Sequence, residues 1–309
     1  MDVRKIIAFG KSSFVVSLPK KWLDRYHLKK GDVLFVNQEG DKLIIAPEEK
    51  EEVREETRRI IQTDKKSLKR LRREISSAFI NHTDYIILEG KTLPTHAAKL
   101  VEIIHDLIAL EIVEQSHNRI VARDFLRVGD VRVSEYLRKA DIVVRSILAD
   151  LKNPSYDDFD DILLRQEGVT RIHLLILKVL KAIHTNPTAY RKLEIDGDMV
   201  LSYTRFNFGL QNISLALREI SKIMKTMKGK ELASTRSVVG ALEADYLELM
   251  KAHISQNIER ALDFSERRDV ALEIIETDFK KDGAVRYIIM SNAAYIHREM
   301  HEMAHRIIA

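Results

Sequence analysis

A chain of 309 residues with 45% hydrophobic and 32% charged residues has room for two or three domains with their own cores, and its composition is that of a folded protein. With 51 Lys+Arg against 47 Asp+Glu the net charge is only +4, so affinity for nucleic acid has to come from a local patch. The absence of cysteine excludes disulfides and thiolate metal sites and favours a cytoplasmic chain, and no apolar run approaches the roughly 18 residues of a membrane helix. Met1 leads into a charged strand, so neither a leader peptide nor membrane insertion is expected.

The first fifty residues read strand, loop, strand, short helix, turn, strand, turn, strand. Ile6 and Ala8 alternate with Ile7 and Phe9, and Phe14-Val-Val-Ser-Leu18 is rich in β-branched and aromatic residues. Pro19 stands where a first helical turn accepts proline and opens Pro19-Lys-Lys-Trp-Leu-Asp-Arg-Tyr26. Gly31-Asp32 and Glu39-Gly40-Asp41 are turn signals around Val33-Leu-Phe-Val36 and before Leu43-Ile-Ile45. A unit this short buries little apolar surface alone and needs a partner copy. Trp22 is expected to pack in the head helix, not to stack on bases.

A basic strand, a Gly10-Lys11-Ser12 loop, a strand ending in Pro19, a basic helix start and Leu28-Lys-Lys-Gly-Asp32 follow in that order. This signature resembles the AbrB/SpoVT/MazE swapped-hairpin family, whose two copies interlace into one DNA-binding β-barrel. The resemblance implies that Arg4, Lys5, Lys11, Lys20, Lys21 and Arg25 face DNA. Lysine and arginine on one face neutralise phosphates and release counterions, and Ser12 and Ser13 can donate to phosphate oxygens. Base readout would fall chiefly to Arg4, whose fork suits guanine. The plain alternative is a solvated basic surface, the usual fate of such side chains. A MazE-like antitoxin is the main competitor, and such a protein ordinarily carries a short tail in place of a large folded body.

In the middle section, Glu51 to Arg59 and Lys65 to Arg73 are charged and helical in pattern, with Leu68, Leu71, Ile75 and Phe79 on one face. Tyr85-Ile-Ile-Leu88 reads as a buried strand, Leu100 to Ile108 as an amphipathic helix, and Ile112-Val113 and Ile120-Val-Ala122 as two further strands. The Lys65-Lys66, Lys69-Arg70, Arg72-Arg73 cluster reads better as a solvated helix face paired with glutamates than as an extension of a DNA footprint.

From about Val131 onward the pattern is almost all helix, in stretches Val133–Leu151, Asp158–His184, Met199–Lys228, Ser234–Arg267 and Val270–Ile308. Leu210-Gln-Asn-Ile-Ser-Leu-Ala-Leu-Arg-Glu219 is echoed eighty residues later by Met290-Ser-Asn-Ala-Ala-Tyr-Ile-His-Arg-Glu299, which sets Asn212 against Asn292 and Glu219 against Glu299. Two tandem three-helix units of this kind resemble the PhoU-like family of phosphate-uptake regulators. A swapped-hairpin head on a PhoU-like body is an arrangement found among archaeal phosphate-responsive regulators.

That family often holds metal with acidic pairs four residues apart. Asp278 and Asp282 keep this spacing, which places two carboxylates on one helix face, whereas the first repeat offers only Asp198 and Ser202. Asn212 and Asn292 replace the later acidic partners, so solvated carboxylates are the better reading and a divalent metal in the helical domain the alternative. His301-Glu-Met-Ala-His305 fits the H-E-x-x-H pattern of zinc peptidases, and His297 extends it into a stripe of His297, His301 and His305. A catalytic zinc needs a third ligand, which no residue downstream of His305 offers, and the core-facing side of this helix carries Met300, Met303, Ala304 and Ile307. No P-loop, dinucleotide fingerprint or catalytic triad is discernible.

The expected fold is multidomain α+β, with a swapped-hairpin β-barrel head over residues 1-48, an α/β connector over 49-127 and a PhoU-like antiparallel bundle of two three-helix repeats over 128-309. The expected function is a non-enzymatic DNA-binding transcription regulator of phosphate uptake or homeostasis. Its partners would be double-stranded DNA, a second copy of itself (homodimer or higher) and a phosphate-transporter subunit. The alternatives are a PhoU-like signalling adaptor that does not bind DNA and a metal-dependent hydrolase.

Overall fold

The computed structural model describes residues 3–10, 13–39, 42–47, 56–185, 193, 195–267, 270–278 and 283–308. The chain forms two compact units, Met1–Glu55 and Glu56–Ala309. Among the described residues no helix is long and apolar enough to cross a membrane.

In the first unit, β1 (Ile7–Phe9) and β2 (Ser13–Val15) form an antiparallel hairpin, with Ile7 opposite Val15 and Phe9 opposite Ser13. Gly10 turns between them at φ 73, a region that glycine enters without a Cβ penalty. Helix α1 (Lys20–Arg25) follows, with Pro19 one position earlier than expected, as its extended N-cap at φ −63. A second hairpin pairs β3 (Leu34–Glu39) with β4 (Lys42–Pro47), Val36 lying opposite Ile45. Between them the Leu28–Asp32 motif is a turn closed on itself. Asp32 Oδ2 accepts from Lys29 N at 2.7 Å, and Asp32 N donates to Lys29 O at 3.1 Å. The two hairpins form separate two-stranded sheets.

The second unit opens with an α/β layer. Its sheet runs β5 (Arg58–Gln62), β6 (Tyr85–Glu89), β8 (Arg119–Asp124), β7 (Leu110–Gln115), with β5 parallel to β6 and the other pairs antiparallel. Strand β5 corrects the helix expected to reach Arg59. Of its five residues only Ile61 is buried, so as an edge strand it lacks the apolar alternation that marks a half-buried strand. Helices α2 (Leu68–Ile80) and α3 (Leu93–His105) cover one sheet face. Leu71, Ile75 and Phe79 from α2 and Leu100, Ile103 and Ile104 from α3 pack on Ile61, Ile86, Leu88, Ile120 and Ala122. The α2 stripe therefore follows its sequence period. At the carboxyl end of β6, Gly90 sits at φ 149, and a Cβ there would fall 2.3 Å from Thr63 Oγ1. The Asp64 carboxylate accepts from Thr92 N at 2.8 Å, and its pKa is lowered chiefly by the Thr92 and Lys91 backbone N–H groups.

The helical layer comprises α4 (Val133–Lys152), α5 (Phe159–Thr185), α6 (Gly197–Met224), α7 (Gly229–Ser255), α8 (Ile258–Ser265), α9 (Val270–Asp278) and α10 (Ala284–Ile308). Two of the long stretches expected from periodicity are divided. Ser234–Arg267 breaks where Gln256 adopts φ 48 and Asn257 Oδ1 accepts from Arg260 N at 2.9 Å, which ends one helix and caps the next. Val270–Ile308 divides between Asp278 and Ala284. Helices α4–α6 are three long helices, whereas α7–α10 are four, two short ones between two long ones, and so depart from the expected three-helix unit. Helices α6 and α10 pack side by side, yet the echoed positions differ in setting: Glu219 is exposed, while Glu299 is buried and paired with Arg205.

The two layers of this unit meet where α5 packs on α2. Lys178 is completely buried there, bonded to the Asp124 carboxylate, with its ammonium 3.9 Å from the Phe79 ring centre. His82 Nε2 lies 2.9 Å from Lys178 O, and Arg171 Nη2 donates to His105 O at 3.1 Å. Inside the bundle, Arg236 reaches back to the end of α4. Its guanidinium donates to Leu151 O at 3.0 Å, to Asn153 O and to Tyr156 O at 2.7 Å, satisfying carbonyls that a helix end leaves open.

Candidate nucleic-acid interface

The head concentrates positive charge. Between Val3 and Val36 there are eight Lys and Arg residues against two Asp, so the rest of the chain is close to neutral. One of the two carboxylates, that of Asp32, caps the Lys29 turn. Arg4 and Lys5 are exposed just ahead of β1, and Ser13 is exposed as the first residue of β2. Lys20 and Lys21 are exposed as the first two residues of α1, and Arg25 is exposed as its last. Lys11 and Ser12 lie outside the described residues.

Two of these placements do not favour local stability. Cations at a helix N-terminus oppose the helix dipole by a few tenths of a kcal/mol, and α1 has neither an acidic residue in its first turn nor a side-chain cap. A Lys-Lys start is tolerable when a polyanion neutralises it. Arg25, at the opposite end, is where the dipole favours a cation.

Among its described residues the same unit shows no interior. None of its residues of described burial is buried, and α1 buries nothing. Trp22 is partly buried and makes a tilted ring contact with Tyr26, at 5.4 Å between ring centres. The β1–β2 hairpin exposes apolar side chains on both faces, with Ile7 and Val15 on one and Phe14 on the other; Phe9 and Phe14 are 69% and 73% exposed. On β3–β4, Val36 and Leu43 are exposed on one face and Phe35 on the other. An isolated two-stranded hairpin is marginal in water, and two of them with wet apolar faces need a cover.

The remaining site residues named from sequence fall in the helical layer. Asp278 ends α9, and Asp282 lies outside the described residues. His297, His301 and His305 lie at successive turns of α10. The His297 and His301 rings are 4.4 Å apart, His301 also meets Phe264 at 5.1 Å, and His305 is exposed. Among the described residues no three His, Asp or Glu side chains converge to hold a metal ion. Lys66, just ahead of α2, and Arg70 within it both pair with Glu74, at 2.6 and 2.9 Å, and Arg72 pairs with Asp106 at 3.1 Å. Arg70 and Arg72 are thus paired on the helix, while Lys65 and Lys66, expected on the same helix face, lie in the turn before it.

Residues 7–53 match the family model described as antidote-toxin recognition MazE, bacterial antitoxin. The head is therefore similar to MazE/AbrB-type domains. The match is confined to the head, and it is consistent with a DNA-binding regulator or an antitoxin-like function. No curated protein and no solved structure matches the chain.

Proposed function

We propose that this protein is a DNA-binding transcription regulator acting as a homodimer or higher assembly through its head. The observation that carries the reading is a strongly basic unit with no buried residue among those described, attached to a body that has a full core. In a swapped arrangement the hairpins of two copies cover one another, burying side chains such as Phe9, Phe14, Val36 and Leu43. The same pairing brings two sets of Arg4, Lys5, Lys11, Lys20, Lys21 and Arg25 to a pseudo-palindromic duplex. The lysines neutralise phosphates, Ser12 and Ser13 donate to phosphate oxygens, and Arg4 reads guanine.

The body is assigned the sensing role. A phosphate-uptake signal, delivered through contact with a transporter subunit, is what the resemblance of the body to PhoU-like proteins supports, and it rests on that resemblance alone. A toxin-binding head is the second reading, carried by the description of the matched family. Its mark is a stable complex between the full chain and a second polypeptide. Titration of labelled duplex from the region upstream of the protein's own gene tests the first reading. Replacing Lys20 and Lys21 by alanine is expected to weaken binding at least about tenfold while the helical circular dichroism is unchanged. Equal binding by both chains would overturn it.

A further inference from the structure

A cavity of about 370 Å³ opens at the seam between the two layers of the second unit, walled by α2 and the end of α3 on one side and by α5 and α6 on the other. Three arginines line it, Arg72, Arg171 and Arg218, against two acidic residues, Asp106 and Glu167. Arg72 is already committed to Asp106 at 3.1 Å. Arg171 makes one bond, to His105 O at 3.1 Å, and Arg218 Nη1 donates to Gln166 Oε1 at 3.3 Å. A guanidinium has five N–H donors, so both keep donors in reserve, and Arg218 Nε is buried with no acceptor among the described residues.

The floor of the cavity is polar. Gln166 is 1% exposed and Gln211 8%, and both donate to Thr170 Oγ1, at 2.9 and 3.0 Å. Burying carboxamides costs free energy unless every group is bonded. Here they hold Arg218 through Gln166 and form a connected set from Arg218 to Gln211. Such a set fixes a side chain in place before a ligand arrives, which lowers the ordering cost of binding.

From these residues we infer that the seam cavity is a binding site for a small oxyanion-bearing metabolite, with phosphate or carboxylate oxygens taken by Arg171 and Arg218. Planar forks pair with such oxygens two bonds at a time. The volume is at the lower end of small-molecule sites, which fits a compact ligand and excludes a nucleic-acid strand. Because the walls belong to both layers, an occupant adds contacts across the seam and stabilises their packed arrangement.

The test is the thermal midpoint of the full chain with inorganic phosphate, glycerol 3-phosphate or citrate, each against chloride at matched ionic strength. At about 100 times Kd a bound anion is expected to raise the midpoint by roughly 5–10 °C in a unit of this size. Arg218→Gln and, separately, the exposed Arg171→Gln are each expected to raise the Kd of that probe at least about tenfold. An Arg4→Ala chain is expected to keep the shift. A response to glycerol 3-phosphate or phosphate, but not citrate, assigns the phosphate source, and the reverse assigns the carboxylate source. The inference fails if no probe exceeds chloride at about 10 mM, or if the shift persists in both arginine variants.

Discussion

Replacing Asp124 by asparagine tests the seam at its most constrained point. Asp124 and Lys178 are 8% and 0% exposed at their side chains, and the ammonium also rests on the Phe79 ring. Asparagine keeps an oxygen for the Leu126 N–H that Asp124 Oδ1 now accepts at 3.1 Å, but it withdraws the counter-charge. Removing one partner of a buried pair costs about 3–5 kcal/mol, because the other charge stays desolvated. At roughly 2–4 °C per kcal/mol for a unit of this size, the melting midpoint should fall by about 6–20 °C. Adding Lys178→Met removes the stranded charge and should restore most of the loss, since apolar replacements of buried pairs are often neutral or stabilising. The pH dependence gives an independent sign. Burial lowers the Lys178 pKa, with Asp124 opposing it, so losing Asp124 lowers the folded value further below the unfolded one. The unfolded state then binds more protons, stability rises with pH, and the deficit of the Asp124→Asn chain should be smaller at pH 9 than at pH 7. Urea denaturation of the three chains at both values is the assay. A single variant within about 0.5 kcal/mol of the parent, or a double variant no better than the single, refutes the reasoning.

Burial lowers the His253 pKa from 6.5 to about 4, and the ring stacks on Phe206 at 3.6 Å between centres. The unfolded chain therefore takes up a proton first, and about 3 kcal/mol present above pH 6.5 is lost as pH falls to 4; urea midpoints should show this slope, and a His253→Phe chain should lack most of it. A Cβ on Gly209 would lie 2.3 Å from Sδ of the fully buried Met303, so Gly209→Val should cost about 1–3 kcal/mol. Met303→Ala should relieve that clash, and additive urea values for the double variant would count against the contact. Val36→Asp, on an exposed strand face of the head, should turn the assembly seen by sedimentation velocity into monomer while the helical signal persists; an unchanged mass would remove the need for a partner copy.

What could be read from sequence depended on whether the signal was local. The stripe of Leu71, Ile75 and Phe79 and the run Tyr85–Leu88 repeat with the period of their elements, so α2 and β6 were legible. The turns at Gly10 and Gly31-Asp32 and the helix start at Pro19 were legible too, because these residues carry their geometry in residue type, whereas Gly40 and Asp41 of the expected Glu39-Gly40-Asp41 turn lie outside the described residues. Strand β5 was not, because its charged and exposed residues owe their strand pairing to β6, twenty-odd residues away. Gln256 gave no breaker signal, since glutamine is not among the residue types that mark a left-handed helix end. The seam residues Lys178, Asp124, Arg171 and Arg218 were invisible for the same reason. Each looks like a solvated charge until the tertiary fold sets it beside its partners.

The central claim, that the head grips DNA electrostatically as a dimer, is tested most directly by the salt dependence of full-chain binding to duplex from its own upstream region. With about six phosphates neutralised by two heads, log K should fall against log salt with a slope near −5, and Arg4→Ala or Lys21→Ala should flatten it by about one to two units. A slope near zero, or one that neither substitution alters, would contradict the account.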